Sequence, residues 1–393
     1  MPDQVLGLAA AIVVAALLLS ALGLAAALYF LGRLRLPRLH RDGVVTLILP
    51  LTGNAPNLES LLRALEAQTL RPRRLIVSVE STRDPAYRRV SGLARGLVFP
   101  LELVVAGLAE GCAQKSLNLI AALARIDAQD QAVVLLDADI LPAPWWLSAL
   151  VTPLLDGSSD LVNGYRWPVP AAPRVGAQLA ASIDRAIALL PRPGRFALTW
   201  GGSLALSPQA LRALALDRTL ASTLSDDCSI GEQAAALGLR VLNRRALLVP
   251  TPTAAGLAST WRFGRRQYQI IRIYRPSLWG LAFSALSTRL LAWLLLLTHL
   301  GQTEGRLAAG ALVIFALAGA ITQNRVGRRL GAPDGPGTAM AQGLLAVLKP
   351  AVDLFHWTLV AAAFSARTVH WGHVSYSVAG PTDVLVRRRV PWS

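Results

Sequence analysis

An α/β domain built on a mostly parallel sheet, set between apolar helices near both ends of the chain, is the fold class the sequence predicts. Short apolar, β-branched runs alternate with helix-period segments between residues 44 and 136. Polar clusters close three of those runs. Apolar residues make up 53% of the 393-residue chain against 16% charged, and they concentrate at residues 5–31 and again beyond about residue 277.

Residues 5–31 are an uninterrupted apolar run long enough to span a bilayer. Asp3 and the lack of a basic residue before the run argue against a cleaved signal peptide and for an anchor over 1–33. Arg33, Arg35, Arg38 and Arg41 follow it and predict a cytoplasmic domain next. Further spans are expected near 277–300 and 307–323, the latter followed by Arg325, Arg328 and Arg329. A fourth apolar stretch, 343–366, contains Lys349, Pro350, Asp353 and His356 and reads as re-entrant or interfacial, because a full crossing would put Arg387–Arg389 outside. The net charge of +16 is almost wholly arginine placed beside apolar segments. That pattern points to a lipid bilayer and not to nucleic acid, whose binding motifs are absent. Two cysteines, Cys112 and Cys228, support neither a disulfide framework nor a metal-ligand spacing.

Within a domain expected over 42–260, Val44–Leu51 reads as a buried strand ending at Thr52-Gly53-Asn54. Asn57–Gln68 has helical periodicity through Leu58, Leu61, Leu62 and Leu65. Arg74–Val79 is the next strand and ends on Glu80–Pro85; Leu101–Val105 is a third, followed by a helix within Gly111–Leu123. Gln131–Leu136 ends directly on Asp137-Ala138-Asp139. Ligands of parallel sheets collect at the carboxyl ends of strands, where these polar clusters fall.

Two aspartates one residue apart just past a strand suit Mg²⁺ or Mn²⁺, hard cations that take carboxylate and phosphate oxygens. Asp226-Asp227 precedes a helix and reads either as a capping pair or as a general base. Trp200-Gly201-Gly202 reads either as a loop allowing close approach or as a plain turn. Residues 261–276 combine arginines with Trp261, Phe263, Tyr268 and Tyr274, either as an amphipathic interfacial helix gripping lipid or as groups closing over a diphosphate. Residues 277–366 read as transmembrane or re-entrant helices and 367–393 as a basic cytoplasmic tail.

The order of these motifs resembles family 2-type glycosyltransferases, in particular the ceramide glucosyltransferase-like branch (family 2/21) with bacterial relatives acting on sphingolipids or hopanoids. The resemblance implies a GT-A fold and inverting transfer of a sugar, a hexose from a UDP-sugar donor, to a membrane lipid acceptor. It also implies an enzyme of the inner membrane whose catalytic domain is cytoplasmic. By the same resemblance Glu80 and Asp84 contact the nucleotide base, and Lys115 and Asn118 lie near the diphosphate. Asp137 and Asp139 hold a metal and nucleotide, Trp200, Gly201 and Gly202 line the acceptor side, and Asp227, paired with Asp226, is the base. Arg265, Arg266, Gln267 and Tyr268 stand for the branch's last motif, (Gln/Arg)-x-x-Arg-Trp. Two departures are visible: Ser81 replaces the first aspartate, and Arg266 stands in the tryptophan's place when the motif is read from Arg262. Trp371-Gly372-His373 with Tyr376 is similar to the branch's C-terminal motif, with no chemical role evident. Polyprenyl-phosphate or polysaccharide transfer, or an inactive GT-A membrane protein, are the alternatives.

Overall fold

The computed structural model describes residues 2–36, 39–194, 198–365 and 367–392, with side chains from residue 7 on; Arg38 lies outside the described residues. The chain forms two compact units. One comprises Arg35–Arg166, Arg192–Pro252 and Arg367–Ser393; the other comprises Met1–Leu34, Trp167–Pro191 and Thr253–Ala366.

The first unit is built on a seven-stranded sheet. Its strands are β1 (Val45–Pro50), β2 (Arg74–Val79), β3 (Leu101–Val105), β4 (Ala132–Leu136), β5 (Leu161–Pro170), β6 (Ser203–Leu206) and β7 (Val241–Thr253), in the order β3-β2-β1-β4-β6-β5-β7. β1 pairs in parallel with β2 and β4, and β2 with β3, whereas β6 is antiparallel to β4 and β5. β1, β2 and β4 are covered on both faces, which is why their sequences are apolar at successive positions. Leu47, Leu49, Val77, Val134 and Leu136 face a core closed by Leu58, Leu61, Leu65, Trp146 and Leu150. Ile48, Ile76, Val133 and Leu135 face the opposite core, closed by Leu119, Ala122, Ile230 and Ala234.

The four parallel strands lie within a residue of their sequence-based ranges. The antiparallel part was not foreseen, because β5 and β7 are rich in Pro, Gly, Asn and Arg. Gly164 explains part of that composition: a Cβ there would stand 2.6 Å from the Leu247 carbonyl oxygen, so only glycine lets the two backbones approach.

Residues 367–393, expected as a basic tail, contain a second sheet instead. It consists of β8 (Thr368–Trp371), β9 (Val374–Gly380) and β10 (Asp383–Arg389), antiparallel in the order β10-β9-β8. Val374, Tyr376 and Val378 alternate along β9 and are buried, a period-two pattern that the neighbouring arginines obscured.

The second unit is helical. Among the described residues, three helices are long and apolar enough to cross a membrane: Gly7–Arg33, Pro276–Thr298 and Thr303–Arg329. The helices Pro336–Val347 and Lys349–Ala361 meet at a bend of 85°, which fits a broken span or a re-entrant loop. Asp353 is buried between them and the second span, accepting from Arg289 Nη2 at 2.5 Å and Trp293 Nε1 at 3.1 Å and pairing with Lys349. Trp167–Pro191, expected within the 42–260 domain, groups with these helices. The reason is polar pairing: Arg185 is 1% exposed and makes a bidentate pair with Asp334 at 2.8 and 2.9 Å, and Gln342 donates to Gln178. Buried ions require such partners.

Candidate active site

The carboxyl ends of β1, β2 and β4 carry Leu51-Thr52-Gly53, Glu80-Ser81 and Asp137-Ala138-Asp139. Opposite them begin two helices. Gln114–Leu123 places Lys115 in its first turn, and Asp226–Ala236 is capped by Ser225, with Asp226 and Asp227 in its first turn. Lys115 Nζ joins these elements, 2.9 Å from Asp137 Oδ1 and 3.2 Å from Asp226 Oδ2. Burial alone would lower the Lys115 pKa; the charges of Asp137, Asp226 and Asp227 overcome it and raise it. The lysine is therefore cationic and fixed.

The acids outnumber it. Asp226 is 1% exposed, and burial pushes its carboxyl up to about 6 against the pull of Lys115, with Asp227 and Asp137 adding to the rise. Its Oδ2 accepts no hydrogen bond despite the ion-pair contact. Desolvation by the surrounding protein and then the Asp137 charge push Asp139 up to about 6. These carboxylates are short of positive charge, so they fit a divalent cation. Among the described residues no cluster of three or more His, Cys, Asp or Glu could hold one. Asp137 and Asp139 would hold it together with phosphate or water oxygens.

The loop before β6 fits around this cluster. A Cβ on Gly201 would stand 2.4 Å from Asp226 Oδ2 and 3.0 Å from Lys115 Nζ, and one on Gly202 would stand 2.3 Å from the Trp200 ring. Gly201 thus lies against Asp226 and Lys115, and Gly202 against the Trp200 ring. Trp200 is anchored by its amide N–H to Asn163 Oδ1 at 2.8 Å and meets Tyr165 edge-on.

The model of glycosyl transferase family 21 matches residues 8–383. The chain belongs to glycosyl transferase family 21. Its paired aspartates stand at the end of β4 of the seven-stranded sheet. Among solved structures, it is similar to the mannosyltransferase PcManGT from Pyrobaculum calidifontis in complex with GDP-Man and Mn2+, at 17% identity and a TM-score of 0.43, covering 89% of this chain and 98% of the other. Glucosyl-3-phosphoglycerate synthase from Mycobacterium tuberculosis, in complex with Mn2+ and UDP-glucose, is similar at 19% identity and a TM-score of 0.34, covering 55% of this chain and 71% of the other. No curated protein matches.

Several residues expected in this family 21 site have structural employment. Asn118 is 1% exposed; its Nδ2 donates to the carbonyls of Leu51 and Ser78, each at 3.2 Å, and its Oδ1 accepts from Gln114 Nε2 at 2.9 Å. It clips the ends of β1 and β2 and has nothing left for a diphosphate. Asn118→Ala is expected to lower stability by about 1–3 kcal/mol, read as a drop in the unfolding midpoint of the detergent-solubilised protein. Asp84 is fully buried, caps the helix Pro85–Leu93 through Ala86 N at 2.9 Å, and also accepts from Gly53 N at 2.8 Å and Thr52 Oγ1 at 3.0 Å. Asp-Pro at a helix start is a capping pattern, so this role was readable in the sequence. Glu80 is 2% exposed and accepts from His373 Nε2 at 3.0 Å, Trp392 Nε1 at 2.6 Å and Arg389 Nη1 at 2.5 Å. These three partners come from the C-terminal segment, which sequence reasoning did not connect to the site.

Arg265, Arg266, Gln267 and Tyr268 lie on the helix Leu257–Tyr274 of the helical unit. There Arg265 Nε donates to the Ala362 carbonyl at 3.2 Å and lies over Trp261, Arg266 lies over Phe263, and Tyr268 bonds to His356 at 2.5 Å. Arginine–aromatic pairs thus lie within this helix.

Proposed function

We propose that this family 21 glycosyltransferase moves a sugar from a nucleotide-sugar, a UDP-hexose in the first instance, to the hydroxyl of a membrane lipid of ceramide- or hopanoid-like class, with inversion at the anomeric carbon. The observation that carries the reading is the Lys115 bridge between Asp137 and Asp226, which gathers carboxylates and a fixed cation at the carboxyl ends of the sheet. The three apolar helices support a lipid as acceptor and a bilayer as the setting. Arg33 and Arg35 just after the first of them support a cytoplasmic catalytic unit at the inner membrane.

In this mechanism Asp137 and Asp139 would hold Mg²⁺ or Mn²⁺ together with oxygens of the donor. The cation, when bound, neutralises charge on the departing nucleoside diphosphate. Lys115 adds a fixed positive charge at the same end of the sheet. Asp227 accepts the proton of the lipid hydroxyl as its oxygen bonds to the anomeric carbon; the bond from that carbon to the phosphate oxygen breaks and the diphosphate leaves with the electron pair. Asp227 suits this role better than Asp226, because Asp226 is buried against Lys115 while Asp227 is part-exposed. Its Oδ1 accepts from the Cys228 amide at 2.8 Å and from Ser225 Oγ, which orients the carboxylate.

The test is turnover by the full chain in lipid nanodiscs with a panel of UDP-hexoses and Mn²⁺ or Mg²⁺, with glycolipid product identified by mass spectrometry. Nucleotide binding without turnover across donors and acceptors would favour an inactive GT-A domain. Asp139→Asn is expected to weaken Mn²⁺-dependent binding of UDP at least about tenfold, since one of two carboxylate ligands is lost; unchanged Mn²⁺ dependence in a titration would remove Asp139 from the metal site.

A further inference from the structure

We propose that the C-terminal sheet is a wall of the donor's nucleoside subsite, with the Trp392 indole as the surface on which the base stacks. The inference rests on the nucleotide-sugar reading above and assigns a role to the C-terminal motif that the sequence left without one.

Position is the first argument. The diphosphate end of the site lies at β4, and in the sheet order the next strands are β1 and then β2. Strand ends are about 4.8 Å apart, so a nucleoside continuing from β4 reaches the β2 end after roughly 10 Å. Trp392 stands at both of those ends. Its Nε1 donates to Glu80, which directly follows β2. Its ring borders Gly53 just past β1: a Cβ there would stand 3.3 Å from Trp392, and the φ of +69° favours glycine in any case.

Fixation is the second argument. Glu80 stands where an acidic first motif would meet the base, yet its two oxygens are taken by His373, Arg389 and Trp392. A carboxylate so employed cannot read a base; it can hold an aromatic ring that does. The ring centroid of His373 lies 4.1 Å from that of Trp392, while the indole remains part-exposed. Base-to-aromatic stacking needs such a braced, accessible face.

Connection to the chemistry is the third. Arg389 Nη2 donates to the Ala109 carbonyl at 3.1 Å and to Gln114 Oε1 at 2.8 Å, Tyr376 Oη accepts from the Gln114 amide at 3.0 Å, and Val386 N donates to the Glu110 carbonyl at 3.0 Å. The sheet is thus bonded to the start of the helix whose next residue is Lys115. Two of its strands, β9 and β10, carry these ties.

The experiment measures Mn²⁺-dependent binding of UDP, GDP and inorganic pyrophosphate to the full detergent-solubilised chain, comparing wild type with Trp392→Ala and Trp392→Phe. Trp392→Ala is expected to weaken the best-bound nucleoside diphosphate about tenfold or more, to leave pyrophosphate within twofold, and to lower the unfolding midpoint without loss of the cooperative transition, because Glu80 keeps His373 and Arg389. Trp392→Phe, which keeps a stacking face, should restore most of the lost affinity. Equal affinities in wild type and Trp392→Ala overturn the inference alone, and so does equal weakening of nucleotide and pyrophosphate. Tighter nucleotide binding by Trp392→Ala also overturns it, because the ring would then be a plug. A wild type that binds no nucleoside diphosphate overturns the donor reading as well.

Discussion

Asp227→Asn is expected to lower sugar transfer by about 10²–10⁴-fold, the range that removal of a positioned general base gives, with donor affinity preserved. The substitution is nearly isosteric, and the asparagine Oδ1 can still accept from Ser225 Oγ and the Cys228 amide, so the helix Asp226–Ala236 keeps its start. What disappears is a carboxylate able to take a proton. Single-turnover transfer and equilibrium binding of the same nucleotide-sugar separate these effects. Parallel loss of binding and transfer would assign Asp227 to the structure of the site instead. Asp226 gives the contrast. Its carboxylate is buried against Lys115, so Asp226→Asn removes one of the lysine's two ion-pair partners. Donor binding and turnover should therefore fall together.

Gly201→Ala is expected to reduce kcat/KM by about 10²-fold, the effect of displacing reacting groups by an ångström or so. The added methyl group would overlap Asp226 Oδ2 at 2.4 Å and crowd Lys115 Nζ at 3.0 Å. Neither atom is the free end of a mobile side chain, since each is held by the other and Lys115 is held by Asp137 as well. Relief must come from moving the loop or separating the ion pair, and both disturb the charge arrangement beside Asp137. Kinetics at saturating Mn²⁺, with a thermal melt to confirm folding, decide the matter. Wild-type kcat/KM in Gly201→Ala would show that the Lys115–Asp226 contact is dispensable.

The parallel strands were legible because burial on both faces leaves little freedom of composition: Val45–Pro50 and Ala132–Leu136 are apolar at nearly every position. The acidic pairs were legible as chemistry, and their neighbours in sequence placed them at element ends. The roles of Glu80, Asp84 and Asn118 were not. All three are polar residues at strand ends, where a ligand contact and a structural clip look alike in one dimension. Asp84 could have been read as a helix cap from Pro85, but nothing near Glu80 or Asn118 in sequence names their partners. The antiparallel strands were obscured for a different reason. β5 and β7 contain prolines, glycines and arginines whose tolerance depends on neighbours that only the folded sheet supplies.

Local pattern is enough for the apolar helices that can cross a bilayer, for the parallel strands and helix starts, and for placing the carboxylates Asp137, Asp139, Asp226 and Asp227 at element ends. Hydrophobic length and periodicity, and charge placed at an element end, are properties of neighbouring residues. Only the tertiary structure decided which polar groups remain available to a substrate. It joined Lys115 to two aspartates from distant segments, and Glu80 to His373, Arg389 and Trp392. It also turned an arginine-rich C-terminus into a sheet. A buried charge must find partners wherever the fold brings them, and that long-range requirement leaves no local trace in the chain.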